Sequence, residues 1–263
     1  MKQKTTIVGI ISLLLFFFSC KEEAAYNYPE TRKDTVVDNY FGTKVKDPYR
    51  WLEDDNSEET KAWVEAQNKV TFSFLEGIPF RKKIKERLTD IYNYERYSAP
   101  FKEGDKYFFF KNDGLQNQSV LYIQESLDAK AEILLDPNRL SDDGTKALAN
   151  LAVSDDGKYL AYSVSTGGSD WQEIFVKNIE TGEETKDHIK HVKFSGIEWF
   201  KDGFFYSRYP DPDENKELSQ ANQFQKVYYH KLKTDQTEDL LIHQNSKQPN
   251  YMYGVGVTDD ESY

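Results

Sequence analysis

The sequence has a single cysteine, Cys20, so no disulfide can form within the chain. Apolar residues are scarce, at 38% of 263 residues. Basic residues are outnumbered, 34 Lys and Arg against 45 Asp and Glu, for a formal net charge of −11 without an acidic tail. No basic stripe is available to displace counterions from a phosphate backbone, which argues against a nucleic-acid partner. Nothing resembles a P-loop, and the glycines form no GxGxxG turn between strand and helix, so no cofactor is expected. The nearest approach to a G-x-S-x-G nucleophile elbow is GGSDW at 167–171, where Trp171 occupies the place of the second glycine. Ser169 therefore reads as a loop residue. His188 and His191 form an H-x-x-H pair with neither HExxH nor a cysteine partner, so no metal site is expected. The four histidines read as surface or packing residues.

What the chain does have is aromatic residues, 18 Tyr and 17 Phe, which let a β-rich protein build a core from few aliphatics. It also has one apolar run at its start. Lys2 and Lys4 precede IVGIISLLLFFF (7–18), then Ser19, Cys20 and KEE. A basic start, a short apolar stretch and a small residue before the break describe a secretory signal over 1–19. The run is short for a membrane span. The cysteine just past the break resembles the lipobox of bacterial lipoproteins, with Phe17 where leucine is usual. The expectation is a chain exported from a bacterial cell and acylated at Cys20, lipid-anchored to a membrane or periplasmic. An uncleaved anchor, or an ordinary signal with an incidental cysteine, is the alternative.

From 20 to 93 the punctuation is helical. Asn56 is a candidate N-cap with Glu59 three residues on, and Trp63, Ala66, Val70 and Phe74 recur at helical spacing up to Gly77 and Pro79. A second helix follows, with Phe80, Ile84, Leu88 and Ile91 along one face. Core packing is the expected role of these side chains.

From 94 to 263 the period changes to two. Strands are expected at 107–111, 120–124 and 133–136, then at 152–154, 159–164 and 173–178, then at 197–200, 204–208, 226–232 and 239–243. The second strands begin at Tyr107, Tyr159 and Phe204, intervals of 52 and 45 residues. That is the period of four-stranded propeller blades; a β-sandwich would leave the recurrence unexplained. The phrase SDDGKYLAY (154–162) joins the first two strands of a blade, and TDDESY (258–263) begins it again. The expected architecture is mainly β: about three blades and the start of a fourth, an open arc rather than a closed ring.

The run DPYRWLEDDNSEETKAWVEAQNK (47–69) resembles the N-terminal signature of the prolyl oligopeptidase family of serine peptidases. The similarity continues through GLQNQSVLY (114–122), LDPNRLSDDGTKAL (135–148), SDDGKYLAYSVSTGGSDW (154–171), VKFSGIEWF (192–200) and TDQTEDLL (234–241). The resemblance implies a seven-bladed propeller, here incomplete, capping an α/β-hydrolase domain. The segment 20–93 would pack with that hydrolase, and the Ser, Asp and His of the triad would lie after the propeller, so that no catalytic residue falls in this chain. It implies a serine-type endopeptidase cleaving short peptides on the carboxyl side of proline through an acyl-enzyme. The propeller would gate substrate access. Phe194, in VKFSG, matches an aromatic lining the family's pocket for the residue upstream of proline, and Met252, in QPNYMYG, a methionine of the same wall. An aromatic ring and an adaptable thioether suit varied side chains, although either residue could equally be core. The implied partners are short proline-containing peptides, the hydrolase domain and a membrane through the lipid anchor. A propeller serving only as a binding scaffold on a surface lipoprotein is the competing reading. The helical signature at 47–69 argues against it, because a free-standing propeller needs no hydrolase-packing segment.

Overall fold

A computed structural model describes residues 26–213 and 220–258. The leader with Cys20, and the DDESY that closes the repeated phrase, lie outside the described residues. The chain divides into two compact units, up to Ile84 and from Lys85 onward, so the division falls inside the second helix.

In the first unit, β1 (Val37–Tyr40) and β2 (Thr43–Lys46) form a hairpin. Its turn takes Phe41 and Gly42 to φ 53° and 91°, and the Asn39 side-chain oxygen accepts the Gly42 N–H at 2.8 Å. A 3-10 turn at Arg50–Glu53 follows. The Arg50 guanidinium donates to Asp47 at 2.5 Å and to Asp38 of β1, tying the turn back to the hairpin. The Trp51 indole donates to the Arg32 carbonyl at 3.0 Å, and Arg32 pairs with Glu59 at 2.6 Å. The run DPYRWLED is thus a local clamp, with Asp47 and Arg50 one turn apart and Trp51 bridging to the preceding extended chain.

Helix α1 spans Glu58–Glu76. Its N-cap is Ser57, one residue beyond the expected Asn56: the Ser57 hydroxyl accepts the Thr60 N–H at 3.2 Å, while the Asn56 amide turns to Asp55. Glu58 and Glu59 then stand in the first turn, where the helix dipole favours them. Helix α2 spans Arg81–Tyr92. The expected core packing of its apolar stripe is not found among the described residues, for Phe80, Ile84, Leu88 and Ile91 are all exposed. On α1, Trp63, Ala66 and Val70 are half-buried and Phe74 meets Tyr26 edge-on.

Past α2, the strand pairings described in the second unit are all antiparallel. The first blade has an inner edge made of two short pieces, β3 (Arg96–Tyr97) and β4 (Phe101–Glu103), interrupted at Pro100. Both pair with β5 (Lys106–Asn112), followed by β6 (Val120–Gln124) and β7 (Glu132–Leu135). The second blade runs β8 (Lys146–Val153), β9 (Tyr159–Thr166), β10 (Gln172–Asn178) and β11 (Glu184–Val192). The third runs β12 (Glu198–Phe200), β13 (Gly203–Arg208), β14 (Lys226–Lys231) and β15 (Leu240–His243). The strands depart from expectation in two ways: β8 begins six residues before 152, and β1, β2, β3, β4 and β11 stand where no strand range is expected.

Blades stack through side chains. Along β9, Leu160, Tyr162 and Val164 point to the first blade and join Phe108, Leu121 and Leu135. The alternate Ala161 joins Ile174, Ile189, Trp199, Phe204 and Tyr206 against the third. Between the second and third blades the only backbone pairing in register among the described residues is Val192 with Arg208. The repeated turn has a clear cause. The Ser154 hydroxyl accepts the Lys158 and Tyr159 N–H groups at 3.1 and 2.9 Å, and Gly157 takes φ 68°. The equivalent turn of the first blade, at Gly104, lies against it: a Cβ on Gly104 would stand 3.1 Å from the Asp156 backbone.

Candidate functional site

Two features of the blades can meet a ligand. The first is a hollow of about 530 Å³ on the inner strands, lined by Phe101 and Glu103 of β4, residues 150–153 of β8, Glu198 and Trp199 of β12, and Val257 and Thr258. Successive inner strands supply successive walls, as the blade repeat requires. Burial pushes the Glu103 carboxyl above the usual range, helped by the charge of Asp155, and burial alone does the same to Glu198. The hollow is therefore acidic and partly desolvated.

The second feature lies where the chain crosses between strands. Phe194 follows β11 with φ 54°, a left-handed conformation that costs a non-glycine residue about 1–2 kcal/mol. The residue is 50% exposed. The neighbouring Lys193 is buried, its ammonium 4.9 Å from the Trp171 ring centre and 5.3 Å from that of Phe194, with Asp170 at 3.8 Å. Met252 stands on the irregular segment after β15 and is 63% exposed. That segment is held by the Phe224 N–H donating to the Pro249 carbonyl at 2.7 Å and the Gln223 amide donating to Asn250 at 3.3 Å. The Ser207 hydroxyl donates to the Tyr253 carbonyl at 2.8 Å. Neither side chain is core. Both project from segments tied to the same strand ends, β13 and the start of β14.

The histidines have separate partners. His188 stacks on Phe175 at 4.6 Å, and His191 lies 2.6 Å from Asp211. Ser169 accepts the Trp171 N–H at 3.1 Å. His230 is the one sequence reasoning undervalued. It is fully buried on β14, with Nδ1 2.6 Å from Asp239 and Nε2 2.9 Å from Asp187, while the Tyr206 hydroxyl donates to Asp239 at 2.6 Å. Burial opposes a charged ring, yet the two carboxylates outweigh it and push the imidazole up to about 9. Burial likewise opposes the Asp187 carboxylate, but hydrogen bonds from His230, Thr185 and the Lys233 N–H hold it below its ordinary value. A ring protonated at neutral pH is no general base, so this network is an ionic clamp across the second and third blades.

Meanders of four antiparallel strands, stacked face to face in chain order and opened by the same inner turn, define a β-propeller. Residues 28–263 match the N-terminal β-propeller domain of prolyl oligopeptidase, and the chain belongs to the prolyl oligopeptidase family. Prolyl endopeptidase of Elizabethkingia miricola is 47% identical over the whole chain, and prolyl oligopeptidase A of Amanita bisporigera is 36% identical over 90% of it. The chain spans 37% and 35% of the length of these relatives. Among solved structures, prolyl oligopeptidase B from Galerina marginata bound to a 25mer macrocyclization substrate superposes with a TM-score of 0.76. That alignment is 32% identical and covers 90% of this chain and 37% of the other.

Proposed function

We propose that this chain is the N-terminal, substrate-admitting part of a serine endopeptidase that hydrolyses short peptides on the carboxyl side of proline. The observation that carries the reading is the run of propeller blades matched to the family across 28–263. In this reading the nucleophile, its histidine base and the oxyanion donors belong to an α/β-hydrolase domain, and they form and resolve an acyl-enzyme. The exposed apolar stripe of α2 supports a role for the N-terminal segment in packing with that domain. The inner-strand hollow suits a passage for extended peptides. Phe194 and Met252 form part of the pocket wall for the residue upstream of proline, and the exposure of both side chains supports that role. An exported, Cys20-acylated form accounts for the order of basic, apolar and small residues before Cys20.

The complete gene product should cleave a proline-containing fluorogenic peptide and be silenced by a serine-directed inhibitor, whereas residues 20–263 alone should not turn it over. In the complete enzyme, Phe194→Ala should weaken substrates with a bulky residue upstream of proline by about 1–3 kcal/mol and spare small ones. Equal effects on both substrates would remove Phe194 from the pocket. Mass spectrometry of the mature N-terminus tests the anchor: an intact Met1, or an unmodified start beyond position 20, would exclude it.

A further inference from the structure

We propose that Gln225 is a positioning residue for substrate specificity, holding the Phe194 and Met252 segments in register through one buried side-chain amide. The proposal rests on the pocket reading of Phe194 and Met252 given above.

Gln225 immediately precedes β14 and is 1% exposed, so it touches no substrate. Its oxygen accepts the Tyr253 N–H at 2.6 Å, next to Met252. Its nitrogen donates to the Lys193 carbonyl at 3.0 Å and to the Phe194 carbonyl at 3.3 Å. The acceptor and both donors are thereby engaged, and only this orientation works. Turned over, the amide would aim N–H at N–H and oxygen at two carbonyls.

Among the described residues no strand pairing joins residues 193–195 to 252–253, and besides Gln225 only Ser207 spans them: its N–H donates to the Ser195 hydroxyl at 2.8 Å, and its own hydroxyl donates to the Tyr253 carbonyl. Phe194 also sits in a left-handed backbone conformation, which persists only where the surroundings hold it. The Gln225 nitrogen is bonded to the carbonyl of that very residue. Loss of the amide frees the Phe194 backbone to relax and at the same stroke loosens the Met252 segment, which keeps its bonds to Ser207, Gln223 and Phe224. Lys193, seated between the Trp171 and Phe194 rings, is anchored through its own carbonyl by the same nitrogen.

The test uses the complete enzyme with two substrates that differ only in the bulk of the residue upstream of proline. Gln225→Leu, similar in size but without hydrogen bonds, should raise KM for the bulky substrate on the order of tenfold with kcat unchanged. The small substrate should shift less than about twofold, as for a pocket-wall effect. Hydrogen exchange should quicken together in peptides covering 193–197 and 250–254, with 159–166 unaffected as the control. Gln225→Glu retains the acceptor for Tyr253 and regains a donor only when protonated, so its defect should be intermediate and recede as pH falls. Should Gln225→Leu fail to fold, this variant carries the test. A fall in kcat for both substrates alike, or exchange that quickens in one segment alone, would overturn the proposal. If Phe194→Ala discriminates by bulk and Gln225→Leu does not, Gln225 alone loses its role. If Phe194→Ala is blind to bulk, the pocket reading fails, and the specificity role of Gln225 with it.

Discussion

β9 and α2 both carry apolar side chains at regular spacing, and their surroundings differ completely. On β9 the period of two sends Leu160, Tyr162 and Val164 into one interface and Ala161 into the other, so the strand is buried on both faces. On α2 the helical period gathers Ile84, Leu88 and Ile91 onto one stripe, about half exposed among the described residues. Periodicity identifies the element, but burial depends on how many partners the element has. β9 belongs to the middle of three consecutive blades and is flanked on both sides.

The comparison can be broken first at the strongest point of the blade stack. His230→Leu removes the cation between Asp187 and Asp239 and should cost about 3–5 kcal/mol in chemical unfolding, since two carboxylates are left buried. The same clamp sets a pH dependence. The ring's folded value of about 9 lies above its ordinary 6.5, so its stabilisation is fully present below about pH 6.5 and is lost as pH rises through 9. The rise of His230 and the fall of Asp187 describe one interaction, counted once at on the order of 3 kcal/mol. An alkaline decline that survives in His230→Leu would sink this assignment. Next, Leu160→Ala should cost about 2–4 kcal/mol, because the cavity opens between two blades that cannot collapse independently. Gly157→Ala should cost about 1–2 kcal/mol through its positive φ, with the new methyl 3.3 Å from the Glu103 carbonyl. The smallest effect sharpens the comparison. Leu88→Ala on α2 should shift the stability of residues 20–263 by less than about 0.5 kcal/mol, as alanine compensates through helix propensity. A cost above about 2 kcal/mol for the same change in the complete protein would show that a partner covers the stripe there.

Much of the blade pattern was legible, because inward aromatic and β-branched residues alternate with polar ones between turns of Asp and Gly. β13 and β14 were read almost to their ends for that reason. β11 has no clear alternation in the sequence because its inner positions mix Thr185 and Asp187 with Ile189 and Val192, against an outer face of Glu184, Lys186, His188 and Lys190. Its partner His230 is drawn from elsewhere in the chain, and no local pattern announces the pair. β8 extends further than its pattern suggests because Asn150 interrupts its apolar run, and the register shifts between Leu148 and Asn150. The helix cap was misread by one residue because Asn56 and Ser57 are both competent caps and only the backbone decides between them. At the site, Phe194 and Met252 came from family resemblance rather than from residue pattern. Gln225 had no signal, since a buried glutamine beside a polar loop looks like a surface one until its three bonds are seen.

The Val192–Arg208 bridge, the one such pair between the second and third blades among the described residues, bears on how the chain assembles. Nearly all ladder hydrogen bonds of the second unit close within one meander, joining neighbouring strands over short tracts of sequence. Loop-closure entropy is then met in small instalments, which favours quick local ordering over a slow global search. During synthesis each meander can acquire its backbone pairing as it leaves the ribosome, with side-chain docking onto its predecessor following once the next one emerges. The order of translation and the order of docking then coincide.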